Sequence, residues 1–520
     1  MKNTILIASS DYVNNELQGE VGAIPPSFVP VGSSRLYKRQ INSIRTSFPD
    51  IDISISLPAG YQVPEYDNRI LALNNISIIF IPLGLTISQS LDYCLLQNAN
   101  ISKILYGDTL VYDFPLGENV IALASVDDSY KWEIENSTFS EDLVWCGYFS
   151  FSKLDIFRKL LSDNSSIIQA ILKYKTKVPG VLTPTIKQWF DFGHVNTYFK
   201  SRRNITSERS FNVLMVTGNV VRKASKDGGK IAHEIDWFDN APCELRPYLP
   251  QILCRNRNLN NSYYEIEYLP VIPLSELFVF TALSEKQWYS IGTLLGLLIK
   301  KLKNCAHGQV DDSDILTEAS EHYKYLITTK VEQRLLDYDQ KILDIDLYKP
   351  LFLNGKKLPS ISEIYSELSS IAVKRKQVSS QLHGDLCFSN ILYDSRLGLL
   401  KLIDPRGNGL KHNFGNQVYD LAKLCHSIVG YYDFIVAGYF DISSKGNHLT
   451  FNMHLSEKII TRSKLLELAI ENEAGIKISE FYPEMILLFI SMVPLHSDSR
   501  DRQLGFIANV LRLYLVWNEK

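Results

Sequence analysis

The chain has 520 residues, of which 45% are hydrophobic and 21% charged, with a net charge of −3 and a pI near 6.4. It is too long for one ordinary core, so two or more domains are expected. There is no basic excess to attract nucleic acid and no acidic tail to hold a segment disordered.

The seven cysteines, at 94, 146, 243, 254, 305, 387 and 425, include no C-x-x-C pair. That pattern suits a reducing cytosol and argues against a zinc knuckle or a disulfide scaffold. The opening MKNTILIASS reads as a buried strand, not a signal peptide. Met485–Val493, the longest apolar stretch near the end, is too short to span a bilayer. The expectation is a cytoplasmic protein with no membrane partner, whose oligomeric state the sequence leaves open.

Residues 1–200 alternate strand and helix signals. Apolar runs at Thr4–Ala8, Ile51–Leu57, Ile76–Ile81, Ser102–Tyr106 and Val120–Val126 predict buried strands. Leu36–Phe48 and Ser88–Leu96 have the helical pattern. Buried strands alternating with helices imply a mainly parallel α/β sheet with helices on both faces, which binds ligands beyond the carboxyl ends of its strands. Asp108 stands at such an end.

Three pieces carry a resemblance: Ile24–Ile41, IPPSFVPVGSSRLYKRQI; Tyr106-Gly107-Asp108; and Gln188–Tyr198, QWFDFGHVNTY. With the strand VWCGYF at Val144–Phe149, they resemble the sugar-nucleotide nucleotidyltransferases. The resemblance implies a Rossmann-like three-layer sandwich with Asp108 and Asp191 as ligands of one Mg²⁺ against a nucleotide's phosphates. The sequence departs from that family in two places. The loop after the first strand, SSDYVNNELQGEVGA, lacks the family's glycine pair and arginine, and Pro26 replaces its catalytic lysine. Proline offers neither charge nor backbone donor. Arg35, Lys38 and Arg39 either supply positive charge instead or form the exposed face of a helix.

Ser201–Ser210, SRRNITSERS, is polar without apolar periodicity and reads as the link between domains. The boundaries expected are 1–203 for the first domain, 204–210 for the linker and 211–520 for the second, with lobes 211–270 and 271–520. In the second domain, Phe211–Val216 and Asn219–Lys223 predict a hairpin about Thr217-Gly218. Neighbours on a strand point to opposite faces, so only one of Arg222 and Lys223 faces a site there. Glu234 lies in the helical stretch Lys230–Phe238, next to His233. Tyr263–Leu269, YYEIEYL, reads either as a hinge-like strand, in which Glu267–Leu269 offers backbone groups to an adenine, or as a buried edge strand. Ser284–Leu302, Ile315–Lys341 and Ile361–Ser380 read as helices. Tyr323, Tyr325 and Tyr338 are spaced as core residues rather than as a cage for a substrate.

Gln381–Gly407 reads QLHGDLCFSNILYDSRLGLLKLIDPRG. It predicts a loop with Asp385 and Asn390, a strand, a turn near Asp394–Gly398 and a second strand ending at Asp404. Phosphoryl transfer needs a carboxylate to orient a hydroxyl, with an amide oxygen and a second carboxylate to hold the metal on the phosphates. The segment resembles the aminoglycoside phosphotransferase/choline kinase family, a branch of the protein-kinase-like fold. That implies an α+β bilobal domain with Asp385 as base, Asn390 and Asp404 as Mg²⁺ ligands, Lys223 on the ATP phosphates and Glu234 holding Lys223. Asp420, in QVYDLAKLCHS at Gln417–Ser427, would brace the loop. From there to Lys520 the pattern is mostly helical. Pro405-Arg406-Gly407 departs from the family, where an aromatic residue more often follows the aspartate. Arg406 would either touch a phosphate or an acidic substrate, or pair with a structural carboxylate.

The two resemblances imply a bifunctional enzyme. Its kinase domain would phosphorylate a small alcohol or sugar. Its first domain would join the product to a second NTP, CTP or another, giving an NDP-sugar or CDP-alcohol for capsule or other surface polysaccharide. Fused cytidylyl-transfer/choline-kinase proteins are the resembling precedent. The alternative is a kinase whose first domain binds a nucleotide or sugar phosphate without catalysis.

Overall fold

The computed structural model describes residues 3–126, 132, 134–137, 142–163, 166–205, 213–225, 228–258, 262–305, 313–338, 343–406, 410 and 413–519. Backbone packing divides the chain into two units, residues 1–206 with 280–282, and residues 207–279 with 283–520.

In the first unit the strands are β1 (Thr4–Ala8), β2 (Asp52–Pro58), β3 (Ile76–Ile81), β4 (Ile101–Tyr106), β5 (Thr109–Val111), β6 (Val120–Val126), β7 (Ile134–Ser137), β8 (Asp142–Ser150), β9 (Thr185–Ile186) and β10 (Trp189–Asp191). Among the described residues, eight of them form one sheet in the order β3-β2-β1-β4-β8-β6-β9, with β7 paired to β8. β8 alone runs against its neighbours, so the sheet is mainly parallel. The physical cause is the run of apolar residues in β1: Ile5, Leu6 and Ile7 are wholly buried, as a strand covered on both faces requires. Phe149, Phe151, Phe157 and Tyr174 bind β8 to the helices Leu154–Ser162 and Ile167–Lys177 in one apolar cluster.

β5 and β10 form a separate two-stranded antiparallel sheet in which Asp191 is opposite Thr109. The pairing brings two sequence-distant aspartates, Asp108 and Asp191, to one place. Residues 204 and 205, expected in the linker, are the end of the helix Val195–Ile205. Tyr198 and Phe199 are buried beneath it, which carries the helix through the polar SRRN stretch. Residues 206–210 lie outside the described residues.

In the second unit β11 (Val213–Thr217), β12 (Val220–Ala224), β13 (Ile252–Asn256) and β14 (Tyr263–Glu267) form an antiparallel sheet in the order β11-β12-β14-β13. The hairpin closes between Thr217 and Val220, with Gly218 at φ 57°. That left-handed conformation costs glycine least. β14 lies between two partners, so it is an interior strand and not an edge.

Five short strands follow, β15 (Ile272–Pro273), β16 (Leu351–Leu353), β17 (Lys356–Leu358), β18 (Ser379–Gln381) and β19 (Ile391–Asp394). The last four are β20 (Leu399–Leu402), β21 (Phe414–Asn416), β22 (Phe440–Lys445) and β23 (His448–Met453). β19 and β20 form the hairpin on either side of the Asp394–Gly398 turn, where the Asp394 carboxylate accepts from the N–H of Arg396 and Leu397. β18 pairs with β21, which leads into the helix Gln417–Ile428.

Around these strands the unit is largely helical. The predicted helix over Ile315–Lys341 is two helices, Ser313–Ile327 and Thr329–Leu336, parted at Thr328. The helix predicted over Ile361–Ser380 ends at Val373. Ile478–His496 is long and apolar enough to cross a bilayer by length and composition, at mean hydropathy 1.4, which corrects the expectation from Met485–Val493 alone. Within its best window 72% is buried inside the protein; single-turn helices at both ends of Tyr482–Met492 give the segment its length.

Candidate active sites

In the second unit β12 and the helix Gly228–Asp239 bring Lys223 and Glu234 together. Lys223 Nζ is 2.7 Å from Glu234 Oε2 and 3.0 Å from Asp404 Oδ1. Strand alternation selects the lysine. Lys223 is buried, whereas Arg222 lies on the other face, stacked over the Tyr263 ring at 3.6 Å and paired with Glu265. Tyr264, cross-strand from Lys223, donates its hydroxyl to Glu234 Oε2 at 2.9 Å. Burial opposes the charge on Lys223, but Asp404 and Glu234 outweigh it and raise its pKa. His233 is exposed on the other side of this helix, and among the described residues no contact joins it to the lysine or the two carboxylates.

Trp237, three residues after Glu234 and so on the same side of the helix, donates its indole N–H to Leu382 O at 2.7 Å. The helix that presents Glu234 is therefore fixed to the loop that presents Asp385. That loop is pinned from below. Asp420 accepts from the N–H of His383 at 2.7 Å and of Gly384 at 2.8 Å. His383 is fully buried, and its Nε2 lies 3.2 Å from Ile403 O. Burial pushes its pKa down to about 4, so the ring is neutral and acts as a spacer between loop and hairpin.

Asn390 donates its amide to Asp385 O at 2.9 Å, and its side-chain oxygen accepts from the Ser389 hydroxyl at 3.4 Å. Ile403 N bonds to Asn390 O, bringing the strand that ends before Asp404 alongside. Asp404 has φ 55°, a left-handed conformation that costs a non-glycine residue about 1–2 kcal/mol. Pro405 next to it and the bond from Arg406 N to His383 O at 2.8 Å hold it there.

Arg406 does not lie against a remote structural carboxylate. Its guanidinium is 3.2 Å from Asp385 Oδ2. On the other oxygen of Asp385 sits Lys423 Nζ at 3.0 Å. Burial alone would raise the Asp385 carboxyl, but Lys423 and then Arg406 override it and hold it well below the usual carboxylate range. Lys423 has no counterpart among the residues expected from the sequence. The available signal was its position three residues after Asp420, one helical turn along the face that meets the loop.

The hinge-like segment is only partly available to a ligand. The N–H of Glu267 donates to Gln251 O, that of Tyr268 to Asn219 O, and Leu269 O accepts from Val271 N. The Leu269 N–H has no partner among the described residues. Tyr323 is buried and donates to Glu484, and the Tyr338 hydroxyl reaches Ile345 O, so these two tyrosines pack as expected; Tyr325 is exposed.

In the first unit Asp108 and Asp191 face one another across Gly193. A Cβ built on Gly193 would lie 2.5 Å from Asp108 Oδ2 and 3.5 Å from Asp191 Oδ1. Burial, and then the charge of Asp191, push the Asp108 carboxyl up to about 7. Asp191 is held by the Thr197 hydroxyl and by the Gly193 N–H at 3.3 Å. Gln40 donates to the carbonyls of Tyr106, Gly107 and Thr109, clamping the turn that presents Asp108. Gly193→Ala is expected to lower the melting temperature of this unit by a few degrees, as overpacking by a methyl costs about 1–3 kcal/mol. A thermal scan checks it, and an unchanged melting temperature would show that the two carboxylates are not crowded.

Of the basic residues that stood in for the missing lysine, Arg35 is neither exposed nor available. It is buried against Asp67 at 2.8 Å and donates to Phe28 O. Arg39 reaches Val31 O, and Lys38 lies over the Tyr66 ring at 4.6 Å. The chain after β1 forms a helix, Asn15–Val21, capped by Asn14, whose amide also donates to Gly193 O at 2.8 Å.

No protein-family model matches the sequence, and no curated protein matches it. Solved structures do. HddC from Yersinia pseudotuberculosis is 17% identical, with a TM-score of 0.29, over 39% of this chain and 99% of its own. The inositol-1-phosphate CTP transferase from T. maritima is 10% identical, with a TM-score of 0.28, over 40% of this chain and 98% of its own. An aminoglycoside-3'-phosphotransferase of type VIII is 14% identical, with a TM-score of 0.31, over 59% of this chain and 94% of its own. The first two lie over the N-terminal portion and the third over the C-terminal part.

Proposed function

We propose that the chain is a bifunctional transferase. The C-terminal unit moves the γ-phosphoryl group of ATP to a small alcohol or sugar. The N-terminal unit, its sheet the middle layer of a three-layer sandwich, then joins the phosphorylated product to a nucleotide, giving an NDP-sugar or CDP-alcohol and pyrophosphate. Fusion raises the effective concentration of the intermediate between the two steps. We place the protein in the cytoplasm, making precursors for capsule or another surface polysaccharide.

One observation carries the reading. Lys223, Glu234 and Asp404 form a connected ion-pair network, and Asp385 and Asn390 meet the same hairpin from the adjoining loop. Core packing does not require a buried lysine between two carboxylates; a phosphate-positioning site does. Lys223 would bind the donor phosphates, with Glu234 fixing its position. The Leu269 N–H is the hinge donor left for an adenine. Asn390 and Asp404 offer two oxygen donors on one hairpin, a set that suits Mg²⁺, which takes its remaining ligands from phosphate and water. When bound, the metal neutralises charge on the phosphates. Asp385 orients the acceptor hydroxyl and takes its proton. In the N-terminal unit Asp108 and Asp191 are the donor pair. Two crowded carboxylates, one of them pushed up to about 7, fit a divalent cation.

A second reading has its own support. Arg35 is locked on Asp67, and a helix follows β1 where the resembling family has a glycine-rich loop. On that reading the N-terminal unit binds a nucleotide or sugar phosphate without turning it over.

The experiment is to incubate the full chain with ATP, Mg²⁺ and a panel of polyols, amino alcohols and sugars, with and without each NTP, and to identify products by mass spectrometry. A phosphorylated acceptor converted to a nucleotide conjugate is the expected result. Phosphorylated acceptor with no conjugate under any NTP would leave the second reading.

A further inference from the structure

Around Asp385 the charges are unequal. Lys423 and Arg406 each pair with one of its oxygens. A third cation, Lys330, on the helix Thr329–Leu336, lies within electrostatic reach of Tyr419, Lys423, Arg406 and Asp385. Lys330 is half-buried and has no hydrogen bond and no carboxylate at ion-pair distance among the described residues. Burying an ammonium without a partner is costly. Helix stability does not account for it either, because a cation in the first turn opposes the helix dipole. The carboxylates of the donor end, Glu234 and Asp404, are taken up by Lys223. Lys423 and Arg406 pair with Asp385, Lys423 also feels the charge of Asp420, and Lys330 brings a third cation to these two carboxylates; the Arg406 side chain is 46% exposed.

We propose that the acceptor is itself an anion, a hydroxy acid or an already phosphorylated polyol or sugar, whose carboxylate or phosphate is bound by Lys330 and Arg406 with Lys423 beside them. This rests on the kinase reading of the site and names its substrate class. An anionic group seated on Lys330 draws Arg406 away from Asp385 and leaves one carboxylate oxygen for the hydroxyl. The hydroxyl oxygen then bonds to the γ-phosphorus. The bond from that phosphorus to the bridging oxygen breaks, its electron pair leaves with ADP, and the hydroxyl proton passes to Asp385. A neutral or cationic acceptor leaves Lys330 without a counter-ion.

The test uses the full chain with ATP and Mg²⁺ and acceptors in matched sets: glycerol against glycerate and glycerol 3-phosphate, and glucose against gluconate, glucose 6-phosphate and glucosamine. ADP release gives the rate and mass spectrometry the product. In at least one set the acid or the phosphate is expected to exceed its neutral counterpart in kcat/KM by about 10- to 100-fold, the value of one charge-assisted hydrogen bond. The carboxylate and phosphate arms distinguish the two sources of charge. Equal or better turnover of the neutral or amino compounds would overturn the inference and leave the kinase reading standing. No turnover of any acceptor would overturn both.

Lys330→Met is expected to raise the KM of the preferred anion about 10- to 100-fold with the KM for ATP unchanged, and Lys330→Arg to restore most of it. A shift in the KM for ATP instead would assign Lys330 to the donor and overturn the inference.

Discussion

On the proposed reading, Asp385→Asn is expected to slow phosphoryl transfer at saturating ATP and acceptor by at least about 10²-fold, the usual contribution of a positioned general base. The substitution keeps the shape of the side chain and the loop hydrogen bonds, which run through backbone atoms: Asp420 accepts from His383 and Gly384, and Asn390 donates to Asp385 O. What changes is the charge between Lys423 and Arg406. The low pKa of Asp385 makes it a weak base, so its main contribution is to align the hydroxyl, with the proton moving late. A loose phosphoryl-transfer transition state asks for that. The variant also leaves Lys423, buried beneath the loop, without its carboxylate. A broken buried pair costs about 3–5 kcal/mol, and the half-exposed Arg406 adds little to that. The melting temperature of the C-terminal unit therefore falls as well. Single-turnover measurement of ADP formation separates the two effects, since nucleotide affinity, which the proposal assigns to Lys223 and Asp404, is expected to hold. A rate within about tenfold of the unaltered protein would remove Asp385 from the chemistry.

The parts of this site that could be read in the sequence are those that chemistry places at fixed short spacing. Asp385, Asn390 and Asp404 occupy one hairpin and its loop, so chain connectivity brings them together, and the strand alternation that separates Lys223 from Arg222 is local. Lys330, Lys423, Tyr264 and Trp237 reach the site only through tertiary packing, and no short spacing announces them. Arg406 is visible as a departure from the family pattern, but its partner is not, because only the turn at Asp404 aims it back at Asp385. The fold follows the same rule. The strands β1 and β6, largely buried, and β3, a half-exposed edge strand, have the boundaries their apolar runs predict. The β22–β23 hairpin, FDISSK and HLTFNM, is hidden within the mostly helical pattern expected after Asp420. Its alternation is short and many of its residues are exposed, and its pairing with β16 depends on a segment far earlier in the chain.

On the proposed reading, Asp108→Asn is expected to abolish conjugate formation while leaving phosphorylation of the acceptor at its normal rate. The reason lies in how the two aspartates are held. Asp191 is fixed by the Thr197 hydroxyl and the Gly193 N–H, and Asp108 is presented by the turn that Gln40 clamps. The Asp191 carboxylate closes the turn to Gly193, whereas the Asp108 carboxylate accepts from the Thr109 hydroxyl at 3.4 Å. A purely structural role predicts that losing the Asp108 carboxylate destabilises the unit. A metal-binding role predicts the reverse, because a neutral amide in its place relieves the repulsion between two buried carboxylates, and the melting temperature does not fall. The two roles part again when Mg²⁺ is added. Ligand binding to the native state raises the melting temperature, and that rise is expected in the unaltered N-terminal unit and absent from the variant. Loss of a residue that merely orients a metal ligand already costs about 10- to 100-fold in metal affinity or activity, so loss of a direct ligand is expected to cost at least the upper figure. The phosphorylation proposed for the C-terminal unit of the same polypeptide serves as the internal control for folding and concentration. Conjugate formation that survives Asp108→Asn would move the nucleotidyl chemistry away from this aspartate pair. A melting temperature that falls sharply with no response to Mg²⁺ in either protein would leave Asp108 as a structural residue and the N-terminal unit as a binding module for the kinase.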